Sequence, residues 1–233
     1  MIIIFLLINS EIDSLKILFK ESPSFNLIME INKFYLMENE LDTALNFLIE
    51  NSKFIKPEEQ PFLYYLVGED LFFGGRILEA REEYLKTVAR FSSSEIANDA
   101  LERLYLIEVG RRDTLQLKNL ARAIFLIEVG NTQSARDSLG RLIKTNFGDY
   151  ALYYLALINF NENKTDDALK NLNQLQKEFP ENKIKKAEIL RARIFLKMGN
   201  KVLAREVLEN LILKESNSVY GIQAREILKN FSP

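Results

Sequence analysis

Residues 152–180 read LYYLALINFNENKTDDALKNLNQLQKEFP, and this segment decides the fold of the chain. Ala156 and Ala168 stand twelve residues apart in it, with Asn163 between them. Small residues at this spacing let two consecutive helices approach to the short end of the usual ~8–10 Å packing distance. Asn suits a left-handed stop after the first helix, and Pro180 cannot continue the second. The segment therefore predicts two antiparallel helices joined by a tight turn.

The same frame occurs five times along the chain. Each frame has Gly or Asn five residues before an alanine and a large apolar residue four residues after it. Twelve residues before the alanine stands a small residue, except in the first frame, where Asn32 departs from the pattern. The frames predict an all-α superhelix of helix–turn–helix repeats, in which each repeat packs on its neighbours. In chain order the frame members are Asn39, Ala44 and Leu48; Gly68, Gly75, Ala80 and Tyr84; Ala123, Gly130, Ala135 and Leu139; Ala156, Asn163, Ala168 and Leu172; Ala192, Gly199, Ala204 and Leu208.

Helical periodicity extends this prediction to the rest of the chain. A last helix, at about 218–230, has no partner after it and is typical of the cap of a solenoid. The predicted helices are about 24–38, 41–51, 61–74, 77–91, 94–109, 115–129, 132–145, 149–161, 165–178, 184–198, 201–214 and 218–230.

One spacing in the series is irregular. Successive alanines lie 36, 55, 33 and 36 residues apart, so the second gap holds an extra helix, and LIEVG occurs twice there, at 106–110 and 126–130. We expect one solenoid over 1–233, with N-terminal repeats at 1–91, an inserted helix and junction at 92–114, and C-terminal repeats with a cap at 115–233. We also expect the stacking direction to change near Gly110 to Thr114; in the alternative, the extra helix simply joins the stack.

The first eight residues, MIIIFLLI, have two interpretations. With Ser14 in the alanine position and Asn9 in the turn position, the run is the second half of a repeat helix whose beginning is missing. Alternatively it is the remnant of a signal sequence whose true start lies upstream, although no Lys or Arg precedes Lys16. The compartment stays open: cytoplasmic by default, or periplasmic if the chain starts upstream.

These frames resemble tetratricopeptide repeats, whose units are 34-residue helix pairs with a small residue on each helix. Tryptophan, often found early in the unit, is absent here. Residues 177–200 and 215–231 also look like the long-linker units of bacterial envelope repeat proteins, which include the Tol–Pal-associated periplasmic protein and the outer-membrane-assembly lipoprotein. No lipobox cysteine supports a lipid anchor.

Composition excludes several kinds of chemistry. The chain has no His and no Cys, which removes disulfides, thiolate nucleophiles, imidazole bases and Cys/His zinc sites. The acid pairs 58–59, 82–83 and 166–167 are adjacent on helices and cannot converge on one bond. We predict no catalytic activity, no cofactor, no metal and no small-molecule substrate. A net charge of −2 argues against general polyanion binding.

The resemblance implies that one helix of each pair lines a concave groove. We locate the positions that face this groove by counting back from each alanine. They form two aromatic patches and one basic stretch. Such patches mark protein interaction sites, although the rings could equally pack between neighbouring helices. The positions are Phe62, Tyr65, Glu69 and Phe72; Tyr150, Tyr153, Leu157 and Phe160; and Lys186, Ile189, Arg193 and Leu196.

The expected function is a tetratricopeptide repeat scaffold that binds a protein or peptide in this groove. A first alternative is a helical accessory part of a larger envelope assembly or enzyme complex. A second is nucleic-acid binding through the basic helix 184–198, which contains Lys185, Lys186, Arg191, Arg193 and Lys197. The family's charged clamp for peptide C-termini is not supplied by the inward residues.

Overall fold

The computed structural model describes residues 2–231, and side chains from residue 12 to residue 230. Within that range the chain is helical and has no strand, as the sequence predicts. The helices are α1 Ile2–Glu21, α2 Phe25–Met37, α3 Leu41–Asn51, α4 Gln60–Phe73, α5 Ile77–Arg90, α6 Glu95–Val109, α7 Thr114–Glu128, α8 Thr132–Leu142, α9 Gly148–Asn161, α10 Thr165–Glu178, α11 Lys186–Lys197, α12 Lys201–Lys214 and α13 Val219–Phe231.

The chain divides into two compact units, Met1–Arg111 and Arg112–Pro233. In the first unit α2 packs on α3 and α4 on α5, while α6 packs on both α5 and α4. In the second unit the pairs are α7 with α8, α9 with α10 and α11 with α12, and α13 packs on both α12 and α11. Each unit therefore ends in a single helix laid over the preceding pair. The single solenoid over 1–233, and the change of direction near Gly110, stay predictions.

All five predicted turns have the expected left-handed backbone. Asn39, Gly75, Gly130, Asn163 and Gly199 have φ between 63° and 80° and are the positive-φ residues of the described chain. At each turn the following residue donates its amide hydrogen to a carbonyl five residues back, as in Glu40 N to Tyr35 O at 2.8 Å. This Schellman pattern satisfies carbonyl groups that the helix end leaves without partners.

The frame residues form the contacts between paired helices. All five alanines and all five large residues four positions later have 0% exposure. The small residues twelve positions earlier are buried as well. The proposed register of the helix pairs is therefore confirmed.

The two copies of LIEVG end differently. Gly130 has φ +80° and begins the turn into α8, whose N-cap Asn131 accepts a hydrogen bond from the amide of Ser134. Gly110 has φ −79° and continues into a short 3-10 turn, after which Asp113 caps α7. The extra helix expected from the spacing is therefore present as α6, and it ends without the left-handed turn that follows the first helix of each predicted pair.

The predicted turn at Asn9 is wrong. A single helix, α1, runs from Ile2 to Glu21 without a stop. Neither Gly nor Pro occurs between residues 2 and 21, so nothing in the local sequence forces the chain out of the helix. The side chains of residues 1–11 lie outside the described part of the chain. No helix among the described residues is long and apolar enough to cross a membrane.

Candidate functional site

Two residues of α4 that are predicted to face inward carry aromatic surface that solvent reaches. Phe62 is 46% exposed, and its ring centroid lies 6.2 Å from that of the buried Phe25. Tyr65 is half-buried, with its ring 5.7 Å from the ring of Tyr84. Both rings therefore have one side on the unit's core, as a rigid binding residue needs.

Phe72, the third predicted aromatic residue of this helix, is fully buried. Its ring packs 6.4 Å from Tyr84, and the guanidinium of Arg103 from α6 lies 5.5 Å from its centroid. The extra helix covers this part of α4, which the repeat pattern alone leaves open. A partner could reach Phe72 only if α6 moved away, so Phe72 is left out of the proposed site.

A buried polar network lies beside Phe72. Glu69 accepts two hydrogen bonds from Arg103, from Nε at 2.7 Å and Nη2 at 2.8 Å, and one from the Tyr84 hydroxyl at 2.5 Å. Glu69 is only 8% exposed, and burial raises the pKa of Tyr84 well above its ordinary value. The buried carboxylate of Glu69 therefore has its hydrogen-bonding capacity met by the guanidinium and the phenol hydroxyl. The network thus holds α6 to α4 and α5.

Tyr84 stands where four of the five frames have leucine, and the chain makes room for it at Gly68. A Cβ on Gly68 would lie 2.7 Å from Tyr84 Cε1. Alanine occupies the same position in the three later frames, Ala123, Ala156 and Ala192. The lack of a side chain at Gly68 therefore provides the space that the larger ring of Tyr84 occupies.

The exceptional Asn32 also has a buried partner. Its Nδ2 donates to both oxygens of Asp70, at 3.1 and 2.9 Å, and both side chains are inside the core. Burial is the main reason that the pKa of Asp70 is raised to about 8. The hydrogen bond from Asn32 acts to lower the pKa, and the negative charge of Glu69 acts to raise it. Asn32 Oδ1 has no hydrogen-bond partner.

The aromatic residues of α9 differ in their exposure. Tyr153 is 9% exposed and belongs to a buried cluster with Leu172 and Leu190. Tyr150 and Phe160 are half-buried, so part of each ring faces solvent. Tyr150 and Phe160, rather than Tyr153, are the aromatic residues that this helix presents.

The basic helix α11 separates into two sets of cations. Arg191 is buried and donates to Asn173 Oδ1 at 2.6 Å and to the Leu172 carbonyl at 3.0 Å, so it fastens α11 to α10. Lys185 forms an ion pair with Glu215 at 2.9 Å. Of the two cations predicted to face inward, Lys186 is half-buried and Arg193 is exposed. Lys197 is exposed as well.

No group of three or more carboxylates that could hold a metal occurs in the described part of the chain. Sequence reasoning missed the roles of Asp70, Tyr84, Arg103 and Lys197. The one available signal was Asn32, a polar residue where the frame needs a small one.

The family model described as "Tetratricopeptide repeat" matches residues 150–182, that is, α9, the turn at Asn163 and α10. Residues 150–182 therefore contain a tetratricopeptide repeat, as their frame predicts. The resemblance to envelope repeat proteins stays a prediction.

Several solved structures resemble the chain weakly. YrrB, a "TPR protein with an unusual peptide-binding site", is 14% identical over 91% of this chain and 97% of its own, with a TM-score of 0.42. The TPR2AB domain of yeast Sti1, in its complex with pHSP90, is 14% identical over 95% and 90%, with a TM-score of 0.43. BtubC from P. vanneervenii is 13% identical over 97% and 91%, with a TM-score of 0.39. Similarity at this level assigns no ligand to the chain. No curated protein matches it.

Proposed function

We propose that the protein is a non-catalytic scaffold that holds a segment of a partner protein against the inward faces of its repeat helices. The observation that supports this most directly is the partial exposure of aromatic residues at inward positions, namely Phe62 and Tyr65 in the first unit and Tyr150 and Phe160 in the second. Aromatic side chains backed by a rigid core are the usual energetic centres of protein interfaces.

The structure weakens the nucleic-acid alternative. Of the five cations in the basic helix, Arg191 is buried and Lys185 is paired with Glu215. Non-specific binding of nucleic acid depends on many simultaneous phosphate contacts, about six to ten in well-studied cases. Three remaining cations on one helix do not provide that number.

A capture experiment with matched variants tests the proposal. The variant Phe62→Ala/Tyr150→Ala removes inward aromatic surface from both units. The control Leu78→Ala/Leu213→Ala removes apolar side chains that are 79% and 81% exposed on α5 and α12, the second helices of their pairs. We expect a partner captured from an extract of the source cells to be lost with the first variant and retained with the control.

Equal capture by both variants would place recognition elsewhere on the molecule and contradict the proposal. Tyr153→Ala is unsuitable for this purpose, because Tyr153 lies in the buried cluster and its removal would also weaken the fold.

A further inference from the structure

The first helices of two successive repeats meet in the second unit along one surface, here called the α9–α11 face. It consists of Tyr150, Leu157 and Phe160 from α9 and Arg193 and Lys197 from α11. The ammonium nitrogen of Lys197 lies 4.7 Å from the ring centroid of Phe160 and 3.5 Å from its carbonyl oxygen. The aromatic row and the basic row are therefore adjacent, which sequence counting alone left open.

The basic row carries charge that the protein does not neutralise. Arg193 is exposed and forms no hydrogen bond or ion pair with the described residues. Lys197 stands one helical turn further on, on the same side of α11. The only acid of α11, Glu188, lies 3.7 Å from the buried Arg191 and so faces the structural cation.

The aromatic row offers no counter-charge either. The only acid of α9 is Asp149, in its first turn, where it accepts a hydrogen bond from the amide of Tyr150. Burial raises the pKa of Asp149. Glu162, just beyond the helix, is held by Arg136 at 2.8 Å and Lys164 at 2.6 Å. The acids near this face are thus partly buried or already paired.

We propose that the α9–α11 face binds an acidic segment of the partner protein, with an apolar side chain of that segment on Leu157 and Phe160 and its carboxylates at Arg193 and Lys197. This rests on the proposed function and names the chemistry of its ligand. Adjacent apolar and cationic rows match a chain in which acidic and apolar residues alternate. Complementary charge across such a contact mainly provides specificity and fast association.

The test measures binding of short fluorescent peptides to the full chain by anisotropy. The first peptide alternates glutamate with leucine and phenylalanine. The second has lysine for every glutamate, and the third has serine for every apolar residue. We expect the first to bind about tenfold more tightly than either of the others, a difference of ~1.4 kcal/mol. Its affinity should fall as salt rises, because the charges involved are exposed.

Matched charge variants locate the contact. Arg193→Glu should weaken binding of the acidic peptide about tenfold. Lys170→Glu is the control: Lys170 is exposed on α10, outside the face, and its reversal changes net charge equally. It should change the affinity less than twofold. If Arg193→Glu does not give the wild-type circular dichroism and melting curve, Arg193→Gln serves in its place, with a smaller loss expected.

Equal affinity for the acidic and the lysine peptides would overturn the inference, and so would equal losses from Arg193→Glu and Lys170→Glu. If both peptides bind and both are lost with Tyr150→Ala, the proposed function survives without the charge preference. Tighter binding of a single-stranded oligonucleotide than of the acidic peptide would assign the cations to nucleic acid. Self-association of the chain that Arg193→Glu abolishes would assign the face to a second copy. Either result would also overturn the inference.

Discussion

The core around α4–α6 and the core around α9–α11 are built from the same repeat frame but are held together differently. In the second region Ala156, Ala168 and Leu172 form an apolar contact. The buried Arg191 donates hydrogen bonds to two neutral oxygens, and its Nε lies 3.7 Å from Oε2 of the half-buried Glu188. In the first region a carboxylate pairs with the guanidinium of α6, and a second carboxyl group, that of Asp70, is buried beside it. One frame thus tolerates both an apolar and an ionic core.

In the first region, each residue that departs from the repeat frame has a matching change in a residue that it contacts. Tyr84 replaces leucine, and Gly68 replaces alanine beneath it. Asn32 replaces a small residue, and Asp70 receives its amide hydrogens. Each departure is compensated by a residue in another helix, because close-packed interiors transmit a change of volume or polarity to their neighbours. We expect the first region to respond to pH and to loss of charge more strongly than the second.

The largest expected effect is a fall in stability between pH 4 and pH 8. The pKa of Asp70 is about 8 in the folded chain against an ordinary value of 3.8, so in this window the folded state binds more protons than the unfolded state. The stabilisation is complete below about pH 4 and is lost as the pH rises through 8, on the order of 5 kcal/mol across the window. Urea unfolding midpoints measured at several pH values test this.

Asp70→Asn is the control for this experiment. Its amide cannot ionise, so the midpoint should vary much less with pH and should exceed that of the wild type at pH 8.5. A pH profile unchanged in Asp70→Asn would show that another group titrates.

The second effect comes from removing one member of the ionic network. Arg103→Met leaves Glu69 buried without its counter-charge and should cost about 3–5 kcal/mol. Arg191→Met, in the second region, leaves two neutral oxygens unpaired and removes a longer ion pair to the half-buried Glu188, so it should cost about 1–3 kcal/mol. Urea unfolding gives both losses, and hydrogen exchange by mass spectrometry should show faster opening of α6 in Arg103→Met.

The double variant Glu69→Met/Arg103→Met sharpens this result. It removes both charges, so its loss should be smaller than that of Arg103→Met alone. Equal losses for Arg103→Met and Arg191→Met would contradict the distinction between an ionic and an apolar core.

The third effect tests the matched pair of Gly68 and Tyr84. Gly68→Ala places a methyl group 2.7 Å from the Tyr84 ring and should cost about 1–3 kcal/mol by overpacking. Adding Tyr84→Leu, which makes this frame resemble the others, should recover part of the loss in thermal melts. The reverse change in the second region, Ala156→Gly, should cost about 1 kcal/mol through helix propensity and a small cavity. If the double variant recovers none of the lost stability, the packing of Gly68 and Tyr84 is not coupled.

The fourth effect concerns the apolar contact itself. Ala168 has no exposed surface, so Ala168→Phe must push α9 and α10 apart, with an overpacking cost of about 1–3 kcal/mol. Lys170→Phe, on the exposed side of the same helix, is the control and should leave the melting temperature nearly unchanged. An unchanged melting temperature in Ala168→Phe would contradict the close approach of the two helices.

Local signals predicted most of the fold. Helices such as α3, α10 and α12 begin and end at the predicted residues, because periodicity and turn chemistry act within a few residues. The identical LIEVG segments mark the limit of such reasoning. Gly130 adopts the left-handed turn and Gly110 does not, although the five residues are the same. Gly130 is followed by Asn131, which caps α8, whereas Gly110 is followed by Arg111 in a 3-10 turn.

The candidate site was predictable only in part. Counting from the alanines found Phe62 and Tyr150 at inward positions, and both have accessible surface. The same count also selected Phe72, which Arg103 covers from a helix about thirty residues away in sequence. The sequence also could not show that Arg191 is buried while Arg193 is exposed. Arg191 is buried because it donates hydrogen bonds to Asn173 and Leu172 of the neighbouring helix.

The sequence by itself determined the helix pairs, their left-handed turns and the buried alanine frame, since these follow from helical periodicity and from backbone preferences within a few residues. The tertiary structure decided which inward side chains are accessible, and it placed two carboxyl groups in a core otherwise expected to be apolar. Exposure and ionisation depend on residues that come together only when distant helices pack, so no local pattern in the chain encodes them.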